Sequence, residues 1–206
     1  MVAGVFFAWI AGLGRYWDHP SAHQWQYWGL GSVAYIFVLS LLIWLIVLPL
    51  RPKIWNYRSV LTFVGLTSPL AWLYAIPVER FVSMDLAIKT NVWFLAIVAA
   101  WRVALYVQFL RTVGKLPGGV IFVVTLLPLT IIVFALAMLN LEHAVFEIMA
   151  GLEQERRGQE LIHDNVYGFI FLLGALSMLF APIFFLIYCG ICIVYFKERA
   201  SEKKMD

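Results

Sequence analysis

The chain has 206 residues, of which 63% are hydrophobic and only 13% are charged. A soluble domain has about 25% charged residues, so this composition argues against a water-soluble fold and favours a surface that faces lipid. The net charge of +3 is small and no soluble basic face is indicated, so nucleic acid is not expected as a partner. At this length we expect a single integral membrane domain over residues 1–206.

The first predicted element is the apolar run at residues 2–14, which contains no Lys or Arg. A helix over residues 2–17 would measure about 24 Å, which is short for a hydrocarbon core of about 30 Å. Two arrangements stay open. We favour an interfacial or half-inserted segment, and the alternative is a sixth membrane span. Because the run has no basic n-region and no small-residue cleavage site after it, a removable signal peptide is not expected.

Five further runs are long and apolar enough for a spanning helix of roughly 20 residues. They lie at residues 28–50, 59–77, 92–110, 120–140 and 166–196. Pro69, Pro128 and Pro182 lie inside these runs and are predicted to kink the helices, since neighbouring groups can satisfy the carbonyl that a proline releases. The predicted fold is therefore all-α, a polytopic transmembrane helical bundle with five spans in addition to the N-terminal segment.

The connectors between these runs alternate in charge. One set contains nine basic residues: Arg51, Lys53, Arg58, Arg111, Lys115, Lys197, Arg199, Lys203 and Lys204. The other set contains nine carboxylates: Asp18, Glu79, Asp85, Glu142, Glu147, Glu153, Glu155, Glu160 and Asp164. The positive-inside rule places the basic set and the tail 197–206 in the cytoplasm, and the loop 141–165 outside. The sequence thus predicts a multi-pass cell-membrane protein, of the kind found in bacterial inner membranes.

Arg102 lies near the midpoint of the third span, eleven residues after Asn91 and nine before Arg111. An arginine at that depth costs about 2.5–3.5 kcal/mol on insertion scales and usually faces the bundle interior. No predicted span contains Asp or Glu. One interpretation is structural: Arg102 caps carbonyls released by Pro69 or Pro128, or reaches water. The other is a ligand site for a lipid phosphate, a carboxylate or a quinone oxygen.

All four histidines fall on the predicted outer side, among carboxylates. The candidate metal ligands are His19, His23, His143, Glu147, Glu160 and His163. His143 and Glu147 are four residues apart, and Glu160 and His163 three apart, so each pair shares a helix face. Imidazole with carboxylate suits a divalent metal, either Zn, Fe or Mn. The alternative is an acidic, solvated loop without a metal.

Three functions follow from these features. The short connectors and the lack of a strong catalytic motif favour, first, a non-catalytic accessory, assembly or scaffold component, with a membrane-protein partner or as a homo-oligomer. The second is a small-molecule or ion permease or receptor that uses Arg102, because charges inside a membrane are typical of such sites. The third is a membrane enzyme with a His/carboxylate metal site on the outer face.

Overall fold

The computed structural model describes residues 2–16, 24, 28–50, 52, 55–76, 78–138 and 160–202. Within these ranges the chain is helical and contains no β-strand, in agreement with the predicted all-α class. The described residues form six α-helices: α1 (Val2–Tyr16), α2 (Leu30–Val47), α3 (Tyr57–Leu66), α4 (Met84–Thr112), α5 (Gly118–Met138) and α6 (Glu160–Glu202). Three 3-10 segments complete the described chain: Leu48–Leu50, Pro69–Ala75 and Val78–Arg80.

Four of the described helices are long and apolar enough to cross a membrane. The qualifying stretches are Leu30–Leu50, Lys89–Thr112, Gly118–Ala135 and Gly174–Glu198. They correspond to four of the five predicted spans. Two of the helices begin earlier than the predicted spans, since α4 begins at Met84 and α6 begins at Glu160. The last helix also continues through Glu202, so the first part of the predicted tail is helical.

The predicted run 59–77 forms two pieces instead of one helix. The α-helix α3 ends at Leu66, and a 3-10 segment begins at Pro69. Pro69 has no N–H to continue the α-helical ladder, and Ser68 N instead bonds Gly65 O at 3.1 Å. The two pieces measure about 15 Å and about 14 Å, so together they match the length of a span that is broken at its middle.

Small residues attach α1 to the rest of the bundle. Gly4, Ala8 and Gly12 are spaced four residues apart and therefore share one helix face. A Cβ on Gly4 would overlap the backbone of Gly65, and a Cβ on Gly12 would lie 3.1 Å from the Cα of Gly29. Such close backbone approach through small residues is how helices associate when both are apolar.

Two tryptophans reinforce this attachment with hydrogen bonds. Trp9 Nε1 donates to Trp28 O at 2.9 Å, and Trp72 Nε1 donates to Phe7 O at 3.2 Å. The N-terminal half of α1 thus lies beside the break after α3, and its C-terminal half lies beside the start of α2. Helix α1 is therefore packed against α2, α3 and the 3-10 segment Pro69–Ala75. This is the N-terminal segment for which the sequence left two arrangements open.

The basic end of the bundle, where α2 and α4 end and α3 and α5 begin, contains a layer of six aromatic residues. This aromatic layer consists of Trp44, Trp55, Tyr57, Phe63, Tyr106 and Phe109. Phe63 stacks on Phe109 with ring centroids 4.3 Å apart and planes within 7°, and its centroid lies 6.0 Å from that of Tyr106. Trp55 Nε1 donates to Trp44 O at 3.2 Å. The layer fills the space between α2, α3 and α4.

The outside of the bundle is apolar, and α6 shows this most clearly. Only 11% of its Gly174–Glu198 stretch is buried, and its outward side chains include Leu186, which is 70% exposed. One contact that holds α6 in place is the hydrogen bond from Tyr188 OH to Ile46 O at 2.6 Å. Exposed apolar patches of this extent are rare on soluble monomers and typical of surfaces that face lipid or a partner.

Candidate functional site

Arg102 lies on the inward side of α4. Val98 and Tyr106, one turn before and one turn after it, are 0% and 7% exposed. Residues at this spacing share a helix face, so the arginine occupies a buried row among apolar side chains. The side chain itself is half-buried.

The guanidinium group of Arg102 has an incomplete set of partners. Its Nε is buried and has no protein acceptor within hydrogen-bond distance. The guanidinium carbon lies 5.6 Å from the ring centroid of Tyr35 on α2, a cation–π contact worth about 0.5–2 kcal/mol depending on its exposure to water. No Asp or Glu occurs in residues 30–50, 57–76, 89–112, 118–138 and 174–197. No carboxylate of these segments therefore neutralises the charge of Arg102.

A hydrogen bond and a ring contact fix the level of Arg102 in the bundle. Phe63 packs on Tyr106, and Tyr106 OH donates to Val124 O at 3.5 Å. These two contacts bring Phe63, Tyr106 and Val124 to one level. One helical turn further from the basic end lie the break at 67–69 after α3, Arg102 on α4 and Pro128 on α5. We call this level the arginine layer and include Tyr35, which lies under the guanidinium.

The carbonyls that the prolines release do not depend on Arg102. Pro128 cannot bond the carbonyl four residues before it, that of Val124, and this oxygen accepts from Tyr106. Pro69 releases Gly65 O, which accepts from Ser68 N. In the described structure each released carbonyl thus has another donor, and the Nε of Arg102 has no acceptor.

A second buried polar atom near this layer also has no partner. Thr125 is 5% exposed, and its Oγ1 makes no hydrogen bond. A threonine in a helix commonly donates to the carbonyl four residues earlier, as Thr130 does to Leu126 O at 3.0 Å. In the described part of the chain, the buried side-chain atoms without a partner are Arg102 Nε and Thr125 Oγ1. Both residues lie within one helical turn of the Tyr106–Val124 contact.

Sequence reasoning identified Arg102 but missed its neighbours. Tyr35 and Tyr106 could not be selected from the sequence, because their role depends on which helices are adjacent. One signal was available for Tyr106: it stands four residues after Arg102 and so shares its face. Thr125 precedes Pro128 by three residues, which places it in the turn whose hydrogen bonding the proline disturbs.

Four of the six predicted metal ligands lie outside the described residues. His19, His23, His143 and Glu147 are in the stretches that the structure does not describe. Glu160 and His163 stand in the first turn of α6. Among the described side chains, no group of three or more His, Cys, Asp or Glu residues comes together. The metal site stays a prediction.

Comparisons with known proteins add no family to this description. No protein-family model matches the chain, no curated protein matches it, and no solved structure matches it.

Proposed function

We propose that the chain is an integral membrane protein in which α2, α4, α5 and α6 cross the bilayer. In this arrangement α3 and the 3-10 segment Pro69–Ala75 form a fifth, broken span, and α1 is half-inserted beside the break. The support is the apolar exterior and the four helices of sufficient length. Because the basic connectors share one end, that end is the cytoplasmic one. Reporter fusions at residues 150 and 206 test the orientation: a reporter that is active only outside should respond at 150 and not at 206.

We further propose that the protein binds a small anionic or carbonyl-bearing ligand at Arg102, as a permease or a receptor does. The observation that supports this most directly is the buried Nε of Arg102, which has no acceptor in a segment without carboxylates. Arginine is not deprotonated in proteins, and an unpaired charge in hydrocarbon is costly. An acceptor oxygen supplied by a ligand would complete the hydrogen bonding that the protein leaves open.

The arginine layer has two further features that such sites use. Broken or proline-interrupted helices near the bilayer midplane are frequent where transporters bind their substrates, and this layer contains the break after α3 and Pro128. The guanidinium of Arg102 is also oriented by the π face of Tyr35. A charge that is held in place and not neutralised is the arrangement expected of a binding group.

Native mass spectrometry of the detergent-purified protein tests this proposal. The wild type is expected to retain a small bound molecule that Arg102→Leu and Arg102→Gln both lack. The matched control is Arg111→Gln, since Arg111 is exposed at the end of the same helix and its loss should leave the bound molecule in place. Once the bound molecule has been removed, the unfolding midpoint of Arg102→Leu should be close to that of the ligand-free wild type.

The opposite results would overturn the ligand site. If Arg102→Leu does not accumulate as a folded protein while Arg111→Gln does, Arg102 has a structural role. If no small molecule accompanies the wild type, or if Arg102→Leu retains it, binding at Arg102 is refuted. The accessory-component and metal-enzyme hypotheses stay predictions. They are checked by co-purification at native abundance and by metal analysis with His143→Ala and His163→Ala.

A further inference from the structure

The guanidinium of Arg102 lies against a side chain that is exposed on the bundle. Tyr35, whose ring centroid is 5.6 Å from the guanidinium carbon, is 46% exposed. Val38, three residues after Tyr35 on α2, and Trp101, which precedes Arg102 on α4, are also exposed. We call Tyr35, Val38 and Trp101 the rim. The guanidinium therefore lies one aromatic ring away from an exposed part of the bundle.

Aromatic rings pack on either side of the level of Arg102. Towards the basic end, Phe63 packs on Tyr106, one turn from Arg102, and stacks on Phe109, about two turns from it. Beyond the break after α3, Trp72, which is 44% exposed, packs on Phe7 with centroids 5.2 Å apart. A ligand approaching along the bundle from the basic end would meet the stacked rings.

We infer that the ligand is an amphiphile dissolved in the bilayer, with a carboxylate or phosphate head and a hydrocarbon tail, which enters sideways across the rim. This inference rests on the proposed function of Arg102 and names its ligand class. The anionic head supplies a negative charge that is absent from the apolar helical segments, which are residues 30–50, 57–76, 89–112, 118–138 and 174–197. An anionic oxygen also gives the stronger, charge-assisted hydrogen bond to a guanidinium N–H. The tail lies along the apolar outer surface of α2 and α4.

Another surface of the same chain serves as an internal control for non-specific lipid contact. The outward face of α6 is as apolar as the rim, with Leu186 and Ile193 exposed, but it has no arginine. Lipid that merely surrounds the protein should contact both faces alike. A ligand recognised through its head should instead concentrate beside α2 and α4.

The first measurement is the thermal unfolding midpoint of the full chain in a mild detergent, titrated with one amphiphile at a time. Laurate and dodecyl phosphate are expected to raise the midpoint of the wild type in a saturable way. Dodecanol, which has the same tail without the charge, should have no saturable effect. In Arg102→Leu the apparent Kd for laurate should rise at least about tenfold, since a hydrogen bond to a charged group is worth about 1.5–3 kcal/mol.

Other arms of the same titration separate the ligand sources. If acetate or inorganic phosphate stabilises the wild type as well as laurate does at equal concentration, the ligand is water-soluble. The lateral route is then wrong, although Arg102 still binds an anion. If decylubiquinone binds and laurate does not, the carbonyl class replaces the anionic one. If native mass spectrometry shows no Arg102-dependent ligand and none of these compounds binds, the proposed function fails as well.

The second measurement locates the tail. Laurate with a diazirine near its end is photo-crosslinked to the wild type, and the labelled peptides are mapped. Label on residues 30–47 and 89–112 that is displaced by excess unlabelled laurate supports the inference. Equal, undisplaced label on residues 174–198 would show ordinary surrounding lipid only and would overturn it. Val38→Trp, which places bulk on the rim at an exposed position, should reduce the displaceable label without changing the unfolding midpoint.

Discussion

Two neighbouring layers of this bundle, one helical turn apart, differ in how completely their polar groups are satisfied. In the aromatic layer the Trp55 indole and the Tyr106 phenol both donate to backbone carbonyls, and the rings fill the space between the helices. In the arginine layer a buried guanidinium Nε has no acceptor. Polar groups in an apolar surrounding are expensive unless they are paired. The rings and hydrogen bonds of the first layer stabilise the fold, whereas the second layer leaves a buried N–H unsatisfied.

The largest expected effect on stability is that of a substitution in the aromatic layer. Phe63→Ala removes a ring that stacks on Phe109 and packs on Tyr106, and should lower the free energy of unfolding by about 3–5 kcal/mol. In the ligand-free protein Arg102→Leu should lower it by no more than about 1 kcal/mol, because the cation–π contact is lost together with an unpaired buried N–H. SDS-induced unfolding in mixed micelles measures both. Equal destabilisation by the two substitutions would contradict the division between the layers.

The second effect tests the close approach of α1 to the break after α3. Gly4→Ala places a Cβ against the backbone of Gly65, which cannot move as a flexible side chain would. Overpacking of this kind should lower stability by about 1–3 kcal/mol. Gly118→Ala is the control, since a Cβ there meets nothing within 4 Å. If the two alanines have the same unfolding midpoint, α1 is not docked as described.

A smaller effect concerns the hydrogen bond that ties α6 to α2 at the basic end. Tyr188→Phe removes the donor to Ile46 O, at 2.6 Å, and keeps the ring. The expected loss is about 0.5–1.5 kcal/mol, measured by the same unfolding titration. Tyr195→Phe, on the same helix one to two turns away, serves as the comparison. An unchanged midpoint in Tyr188→Phe would mean that the bond adds nothing to stability.

The smallest expected effect on stability concerns the contact between Tyr35 and Arg102 in the arginine layer. Tyr35→Leu removes the π face under the guanidinium and should cost about 0.5–1 kcal/mol at this partly exposed site. Tyr35→Phe keeps the ring and should match the wild type. Unfolding titrations of the ligand-free protein distinguish the two. If the phenylalanine variant is as destabilised as the leucine variant, the hydroxyl and not the ring is the important group.

The long helices could be predicted from the sequence because each is an uninterrupted apolar run. The runs 28–50, 92–110, 120–140 and 166–196 all contain or overlap a described helix. The run 59–77 was predicted as one kinked span, and the structure breaks it at Ser68-Pro69. Hydropathy measures how apolar a segment is, and it does not distinguish an α-helix from a shorter α-helix followed by a 3-10 turn.

The site could be predicted in part, for a different reason. Arg102 stands out in any apolar run, whereas Tyr35 lies 67 positions earlier in the chain and becomes its neighbour only through the order of helices. Small residues in α1 offered a usable signal that the apolar pattern hid. Gly4, Ala8 and Gly12 at intervals of four indicate a helix that packs closely against another. That pattern favours docking over a segment lying alone in the interface.

The docking of α1 has a consequence for how the protein is assembled. In chain order α1 precedes both of its glycine partners, Gly29 and Gly65. During synthesis it therefore leaves the ribosome before the surfaces that receive it exist. This helix of 15 residues can therefore take its docked position only after α3 has been made. Arg102 on α4 and Pro128 on α5 follow later still in the chain, so the arginine layer takes its final form only after the surfaces that receive α1 have been made.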